Sequence, residues 1–378
     1  MFNLPALLRS VQERVKPPVL VLLGSPNQAA TLCAALGDIE TVCYQVDLHQ
    51  AGKLRRLLEE HASPTTDEPP PETEDLSEAD ETEPEKPDVW VAPKELTSKV
   101  VVEVKPDVWD LPPRFNTVIF PVSAHGEREF KLDLLEQAYH VLAPKGVFIS
   151  LSEYQKDQLL PKAHKKLFGK CSELPASKLG SVFWSVQDGD KPRRRHQLTY
   201  NAKIAEGPSH TFISRPGVFG YGELDKGARA LLEAAEIKPG DRVLDLGCGV
   251  GSVGVLAMDR AGAEGHVTFV DSNIRALAVS AENATANGVK DFTCHASVSI
   301  DGLSPASFDV VLANPPYYAN SWIAQMFIEK ARELLKPGGR LFLVTKMVNH
   351  VAPVMAEIFP DSTWEERRGY YVMRGDAT

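Results

Sequence analysis

Two short stretches of this 378-residue chain carry residue types that could do chemistry. In the first, "RVLDLGCGVGSVGVLAM", an apolar strand meets Asp245 and runs into Gly247, Gly249 and Gly251. Bare glycine backbone lets a ligand approach closely. A dinucleotide fingerprint is G-x-G-x-x-G, but here the third glycine comes one residue early and Ser252 holds its place. Asp245 would repel a pyrophosphate and attract a cation, such as the α-ammonium of a methionine moiety. Asp271 ends the next strand, and its two oxygens can accept both hydroxyls of a ribose. Either acid alone could be a helix cap or a turn residue; with the three glycines the pair fits S-adenosylmethionine better than NAD. The second stretch is "VVLANPPYYANSW". Val310 to Ala313 read as a buried strand that Pro315 and Pro316 cannot continue. Asn314 therefore sits at the strand's C-terminal end, the edge where open α/β sheets bind ligands.

The elements that must position these residues follow from the apolar pattern. Strands are expected at Val243 to Leu246, Val267 to Val270, Val310 to Ala313 and Arg340 to Thr345. Helical patterns separate them, one closed by Gly288, and strands alternating with helices imply a parallel, doubly wound sheet. The N-terminal half repeats the layout. "FNTVIFPVSAHGEREFKLDLLEQAYHVLAPKGVF" and "FDVVLANPPYYANSWIAQMFIEKARELLKPGGRLF" both place a proline 29 residues after their first Phe, Phe115 to Pro144 and Phe308 to Pro337. Matching Gly24 with Gly247 sets Leu22 where the second half has Asp245, and Asp47 opposite Asp271. Pro121-Val122-Ser123-Ala124 stands where the second half has Asn314-Pro315-Pro316-Tyr317. The fold expected is thus α/β, two tandem Rossmann-like domains, the first degenerate: 1–190, a linker 191–211, and a catalytic domain 212–378.

Composition sets the outer limits. A hydrophobic content of 43% is enough for real cores. No apolar run approaches the roughly 20 residues that cross a bilayer, and the N-terminus lacks a signal layout, so a soluble, cytoplasmic protein is expected. The five cysteines form no C-x-x-C pair, which indicates neither a disulfide framework nor a metal site. Net charge is -10, but residues 62–88 hold eleven acidic residues and one basic, which is also -10. That stretch is expected to be a disordered insert. The remainder balances to zero and does not exclude RNA. Arg193, Arg194 and Arg195, with Lys191, Tyr200 and Lys203, form a basic run at the domain junction; Lys162, Lys165, Lys166 and Lys170 form another around Phe168. Basic groups with aromatics suit an RNA surface, though a solvated face explains them as well.

The D-L-G-C-G-V-G turn, the acid after the second strand and N-P-P-Y together resemble class I S-adenosylmethionine-dependent methyltransferases. In detail the chain is similar to bacterial rRNA guanine-N2 methyltransferases, which pair a degenerate N-terminal domain with an active C-terminal one. "RPGVFGYGELDKGARALLEA" (Arg215 to Ala234) is similar to the segment that opens their catalytic domain. The resemblance is specific from Phe212 to Val372 and mostly architectural from Val19 to Trp184. It implies that the Asn314 side-chain oxygen and the Pro315 carbonyl accept the two hydrogens of a base's exocyclic amine, with Pro316 holding them rigid. It implies stacking of the base on Tyr317, with Tyr318, Phe219, Arg193, Arg194 and Arg195 as further substrate contacts, and a cofactor held by Asp245, Gly247, Gly249, Gly251, Asp271, Ser297 and Asn314. The family often has Phe then His where this chain has Tyr317 and Tyr318, and Ser297 replaces an acid near the adenine amine. The expectation is methylation of guanine N2 in ribosomal RNA, 16S rather than 23S, by a monomer bound to RNA or a ribosomal subunit, without metal or membrane. N6-adenine and protein glutamine remain alternative acceptors, because their nitrogens are planar too. An RNA-binding scaffold with a vestigial pocket is the non-enzymatic alternative.

Overall fold

The computed structural model describes residues 3–62, 99–111, 114–124, 126–175, 177–316 and 322–378. The N-terminal copy runs α1 (Leu4–Arg9), β1 (Val19–Leu22), α2 (Pro26–Leu36), β2 (Thr41–Gln45), α3 (Leu48–Ala62), β3 (Val100–Val104), β4 (Phe115–Val122), α4 (Arg128–Val141), β5 (Leu142–Ser152), α5 (Leu160–Phe168), β6 (Ser172–Glu173) and β7 (Ser181–Val186). A hairpin follows, β8 (Leu198–Ala202) and β9 (His210–Ser214). The C-terminal copy runs α6 (Lys226–Ala234), β10 (Arg242–Leu246), α7 (Ser252–Ala261), β11 (His266–Asp271), α8 (Ile274–Ala286), β12 (Phe292–Ala296), β13 (Phe308–Ala313), α9 (Trp322–Leu334), β14 (Leu335–Thr345), α10 (Val348–Ile358), β15 (Thr363–Arg367) and β16 (Tyr370–Asp376).

Both copies form a seven-stranded sheet with one strand order, β3-β2-β1-β4-β5-β7-β6 and β12-β11-β10-β13-β14-β16-β15. In each, the first five are parallel, the sixth is antiparallel to the fifth, and the seventh is antiparallel to the sixth. The central strands read as unbroken apolar runs because helices cover both faces. Each sheet accordingly carries a core on either side, with Val19 and Val21 facing one cluster and Leu20 and Leu22 the other. The expected strand at Arg340 begins earlier, at Leu335, with the Pro-Gly-Gly inside it at a register shift opposite Phe308 to Val310.

Strand register corrects the match between the copies by one residue. Val19 pairs with Thr41 and Thr117, as Val243 pairs with Val267 and Val310. Val21, not Leu22, therefore stands for Asp245, and Gln45, not Asp47, for Asp271. Asp47 matches Asn273: each caps the helix that follows, accepting the N–H of Gln50 or of Arg275. The acidic stretch from residue 63 onward lies outside the described residues. The stretch expected as a linker, 191–211, includes β8, whose hairpin packs Ala202 and Phe212 into the C-terminal core.

The two copies meet corner to corner. The Leu48 N–H donates to the Ser272 carbonyl and the Ile274 N–H to the Val46 carbonyl, both at 2.9 Å. Leu48 corresponds to Ile274 and Val46 to Ser272, so this pair of bonds has two-fold pseudo-symmetry about Asp47 and Asn273, like an isologous dimer contact. Arg275, fully buried, extends from α8 into the N-terminal copy. It donates to Asp133 at 2.8 Å, to the Pro106 carbonyl at 2.8 Å and to the Pro216 carbonyl at 2.9 Å. Arg215 makes a bidentate pair with Asp107, which also lies 3.5 Å from Arg275. Removing one partner of such a buried pair strands the other charge. Asp133→Ala should cost about 3 kcal/mol, the low end for a buried pair, because Asp107 still faces Arg275. Lys145→Ala, which breaks an exposed pair with Asp188, should cost under about 0.5 kcal/mol. Urea unfolding of the two variants tests the contrast; equal midpoints would contradict it.

Candidate functional site

The C-terminal edge of the second sheet gathers the acids and glycines. Gly247, Gly249 and Gly251 have φ of 69°, 54° and 76°, the left-handed region that glycine tolerates. Gly249 is needed for closeness as well, since a Cβ there would stand 2.7 Å from the Phe219 carbonyl oxygen. The loop is tied down by the N–H groups of Gly247 and Cys248 on the Val270 carbonyl, at 2.9 and 3.0 Å, and by Val250 N–H on the Phe219 carbonyl at 3.2 Å. Behind it, α7 lies close to the sheet: a Cβ on Gly254 would stand 2.4 Å from the Phe269 ring.

Asp245 is 3% exposed and accepts the Gly254 N–H at 2.8 Å. Burial pushes its carboxyl up to about 7, against that hydrogen bond. Asp271 accepts the Asn273 N–H on one oxygen and the Gly249 N–H on the other, at 2.9 and 3.0 Å. Burial again dominates and pushes it up to about 6, with the charge of Asp47 across the domain joint adding to the rise. Each carboxylate oxygen has a second lone pair, so Asp271 can still receive ribose hydroxyls on both. Two acids held this far above their ordinary range are suited to a cationic, hydroxyl-bearing ligand. Ser297 belongs to the same edge, its N–H donating to the Asp271 carbonyl at 3.2 Å.

Asn314 follows β13, half-buried, with Pro315 buried and Pro316 exposed. Its side-chain amide donates to Asp225 at 3.2 Å. A carboxylate accepts only, so the NH₂ must face Asp225 and the amide oxygen is turned away from it. The same Asp225 oxygen caps α6 through the Ala228 N–H at 2.9 Å. Sequence reasoning missed this residue; the available signal was an Asp directly before a helical pattern, which reads only as a cap. Asn283 was missed too. Fully buried, it accepts the Ile213 N–H at 2.7 Å and donates to the Ile213 and Val250 carbonyls, both at 2.8 Å, joining the hairpin to the glycine loop.

The expected substrate contacts divide. The Phe219 side chain is 57% exposed beside the glycine loop. Tyr317 and Tyr318 lie outside the described residues. Arg193 and Arg195 both lie 5.7 Å from the Trp109 ring, Arg195 is 3.7 Å from Asp107, and Arg194 is exposed, so the run lies along the N-terminal copy. Two aromatics expected at an RNA surface are half-buried and packed against the cores. Phe168 stacks on Phe148 with centroids 5.5 Å apart, and Tyr200 stacks on Phe212 at 5.5 Å. The lysines around Phe168 remain exposed. Among the described residues, no group of His, Cys, Asp or Glu could hold a metal ion, and no helix is long and apolar enough to cross a membrane.

A 3-2-1-4-5-7-6 sheet with an acid, glycine loop and second acid at its edge, and Asn-Pro-Pro after the fourth strand, defines a class I methyltransferase. Residues 209–374 match the family model of the methyltransferase small domain, and the chain belongs to that family. It is 34% identical over 200 residues to ribosomal RNA small subunit methyltransferase C of Pseudomonas syringae, a match covering 50% of this chain and 58% of that one. The chain thus spans little more than half the length of that relative. It is 33% identical over 173 residues to the uncharacterized protein YbxB of Bacillus subtilis, 43% of this chain and 84% of that one. In three dimensions it is similar to a T. thermophilus 16S rRNA N2 methyltransferase solved with AdoMet and guanosine. The TM-score is 0.69 at 20% identity, over 99% of this chain and 92% of that one, which shows the two-domain fold.

The raised acids fix the sign of a pH effect. Unfolded, both carboxyls ionise near pH 4 (about 3.9); folded, they do so at about 6 and about 7. Between those values the folded chain binds more protons than the unfolded chain, so stability falls as pH rises. The urea midpoint of the ligand-free protein should drop from about pH 4 to 7 more steeply than that of Asp245→Asn. Parallel profiles would contradict the burial of Asp245.

Proposed function

We propose that this chain transfers the methyl group of S-adenosylmethionine to the exocyclic N2 amine of a guanine in small-subunit ribosomal RNA. The observation that carries the proposal is Asn314, whose amide is oriented by Asp225 at the same sheet edge as Asp245 and Asp271. The donor set suits this cofactor: a glycine loop for close approach, Asp271 for the ribose, and the buried charge of Asp245 toward a cationic methionine end. The cofactor supplies a methyl group on a positively charged sulfur, activated for nucleophilic attack. The chain supplies alignment. A planar amine has its lone pair delocalised into the base, and an oxygen accepting its N–H proton favours the charge that develops on nitrogen. In this reading Asn314 would offer that oxygen and Pro315 its carbonyl, with the two rigid prolines keeping both in register. The N-terminal copy would position RNA, with Lys162, Lys165, Lys166, Lys170 and the run Arg193 to Arg195 as exposed phosphate contacts. Its docking on the catalytic copy occupies the corner a dimer would use, which favours a monomer, acting in the cytoplasm on RNA or a ribosomal subunit. The relatives' names support the small-subunit substrate.

Tritium transfer from labelled S-adenosylmethionine to small subunits lacking native modification, followed by nucleoside separation, tests the reading. Label should appear in N2-methylguanosine and fall by about 10²–10³ in Asn314→Ala, the loss expected for one preorganised polar contact. Asp225→Ala should lower the rate as well, with a cap loss of about 1 kcal/mol in stability. Label in N6-methyladenosine or in protein would overturn the acceptor. Cofactor binding without any transfer would favour the scaffold reading.

A further inference from the structure

The N-terminal copy keeps a cavity of about 310 Å³ at the edge that corresponds to the catalytic site. Its two halves differ. On the side matching the cofactor site, Val21 and Gln45 replace the two acids, and the Gln45 amide is turned onto the Gly24 carbonyl. The Pro121 ring closes on Gly24, so tightly that a Cβ there would stand 2.7 Å from it. The one carboxylate left on that side, Asp47, is already engaged, accepting the Gln50 N–H at 2.9 Å and the Ser272 hydroxyl at 2.5 Å. The side matching the acceptor site, formed by the end of β4 and the start of α4, keeps polar groups in an apolar wall. Glu127, the N-cap of α4, and Lys131 in its first turn both line the cavity, with Phe130 and Leu134 beside them. One Glu127 oxygen accepts the Gly217 N–H at 2.7 Å; the other is buried and has no partner. Lys131 gives one proton to the Ser123 carbonyl at 2.7 Å and has two more to donate. Burial raises the Glu127 carboxyl and lowers the Lys131 ammonium, as expected for groups lacking full solvation.

We propose that this pocket binds a second guanine base, presented unpaired by the RNA that the catalytic copy methylates. This rests on the reading above for its RNA. Of the four bases, guanine alone sets two N–H groups side by side, N1–H and the N2 amine, next to a carbonyl. A carboxylate accepts the pair and an ammonium donates to the carbonyl. Adenine puts one N–H group beside a bare ring nitrogen, which leaves one carboxylate oxygen unmatched. Gly217, held by Glu127, is two residues before Phe219, whose carbonyl anchors Val250 of the glycine loop. The pocket therefore borders the strap that carries the catalytic loop.

Photolabelling of the full chain with 8-azidoguanosine 5′-monophosphate, with peptide mapping, tests this. Label is expected in the peptide spanning residues 126–134, competed by guanosine monophosphate at least about tenfold better than by adenosine monophosphate. Glu127→Gln and Lys131→Met should each cut that label at least about tenfold while label in the C-terminal copy persists, which also reports that the variants fold. No label at 126–134 at saturating probe, equal competition by the two nucleotides, or label surviving both variants would overturn the proposal. The tritium assay reads the function separately: transfer without this label sinks only the second pocket, and this label without transfer sinks only the activity.

Discussion

Arg275 is the contact on which the rest of the arrangement depends. Its guanidinium is fully buried in the N-terminal copy, yet its backbone lies in the first turn of α8, four residues after Asp271. Taking a guanidinium out of water is expensive, and only close hydrogen bonding offsets it. Here Asp133, the Pro106 carbonyl and the Pro216 carbonyl supply those bonds from three separate segments, and Arg215 brings Asp107 into the same cluster. Such a cluster has little tolerance for displacement, so it fixes the angle at which α8 leaves the sheet. The capping Asn273 and the buried carboxylate of Asp271 are fixed with it.

The duplication explains why one copy kept the two buried acids and the other did not. Two buried acids destabilise a fold unless a ligand's positive charge or hydroxyls compensate them. The C-terminal copy keeps both and carries that cost. The N-terminal copy has exchanged them for Val21 and Gln45, one apolar and one neutral with its amide satisfied by Gly24. An edge that no longer meets a cofactor can then serve as a docking corner. The Leu48 and Ile274 bonds show the use made of it, with each copy's corner acting as donor and acceptor for its counterpart.

Much of this was legible in the chain itself. Buried parallel strands are continuous apolar runs, and the loops between them are punctuated by glycine and proline, so both sheets and the edge that gathers the acids and glycines could be read directly. The register between copies was misread by one residue for a physical reason. Gly24 was matched to Gly247, but the residue in the place of Gly247 is Leu23, which adopts a left-handed φ of 55° without being glycine. The strained leucine hides the true correspondence from any match by residue type. The packing of Phe168 and Tyr200 against the cores was not legible, because an aromatic beside lysines looks alike in sequence whether its ring packs against a core or stacks on RNA. The hairpin in the junction went unread because its strands are short, and its fit depends on Asn283 and Asn287, about seventy residues away in sequence.

Asn314 marks the point where sequence and three-dimensional structure divide the work most clearly. The strand and the prolines determine where the amide is; they do not determine which end of it faces Asp225. That choice belongs to Asp225, 89 positions earlier, whose carboxylate can receive only the NH₂ end. The same oxygen caps α6, so the direction of the amide is coupled to the start of the helix that opens the domain. A glutamine or aspartate at 314 would keep a carbonyl-type oxygen, yet each would fail in its own way. Glutamine carries the amide a methylene too far, and aspartate would set two carboxylates against each other. Under the proposed function, position 314 needs asparagine because of Asp225, a residue that never has to touch the reacting atoms.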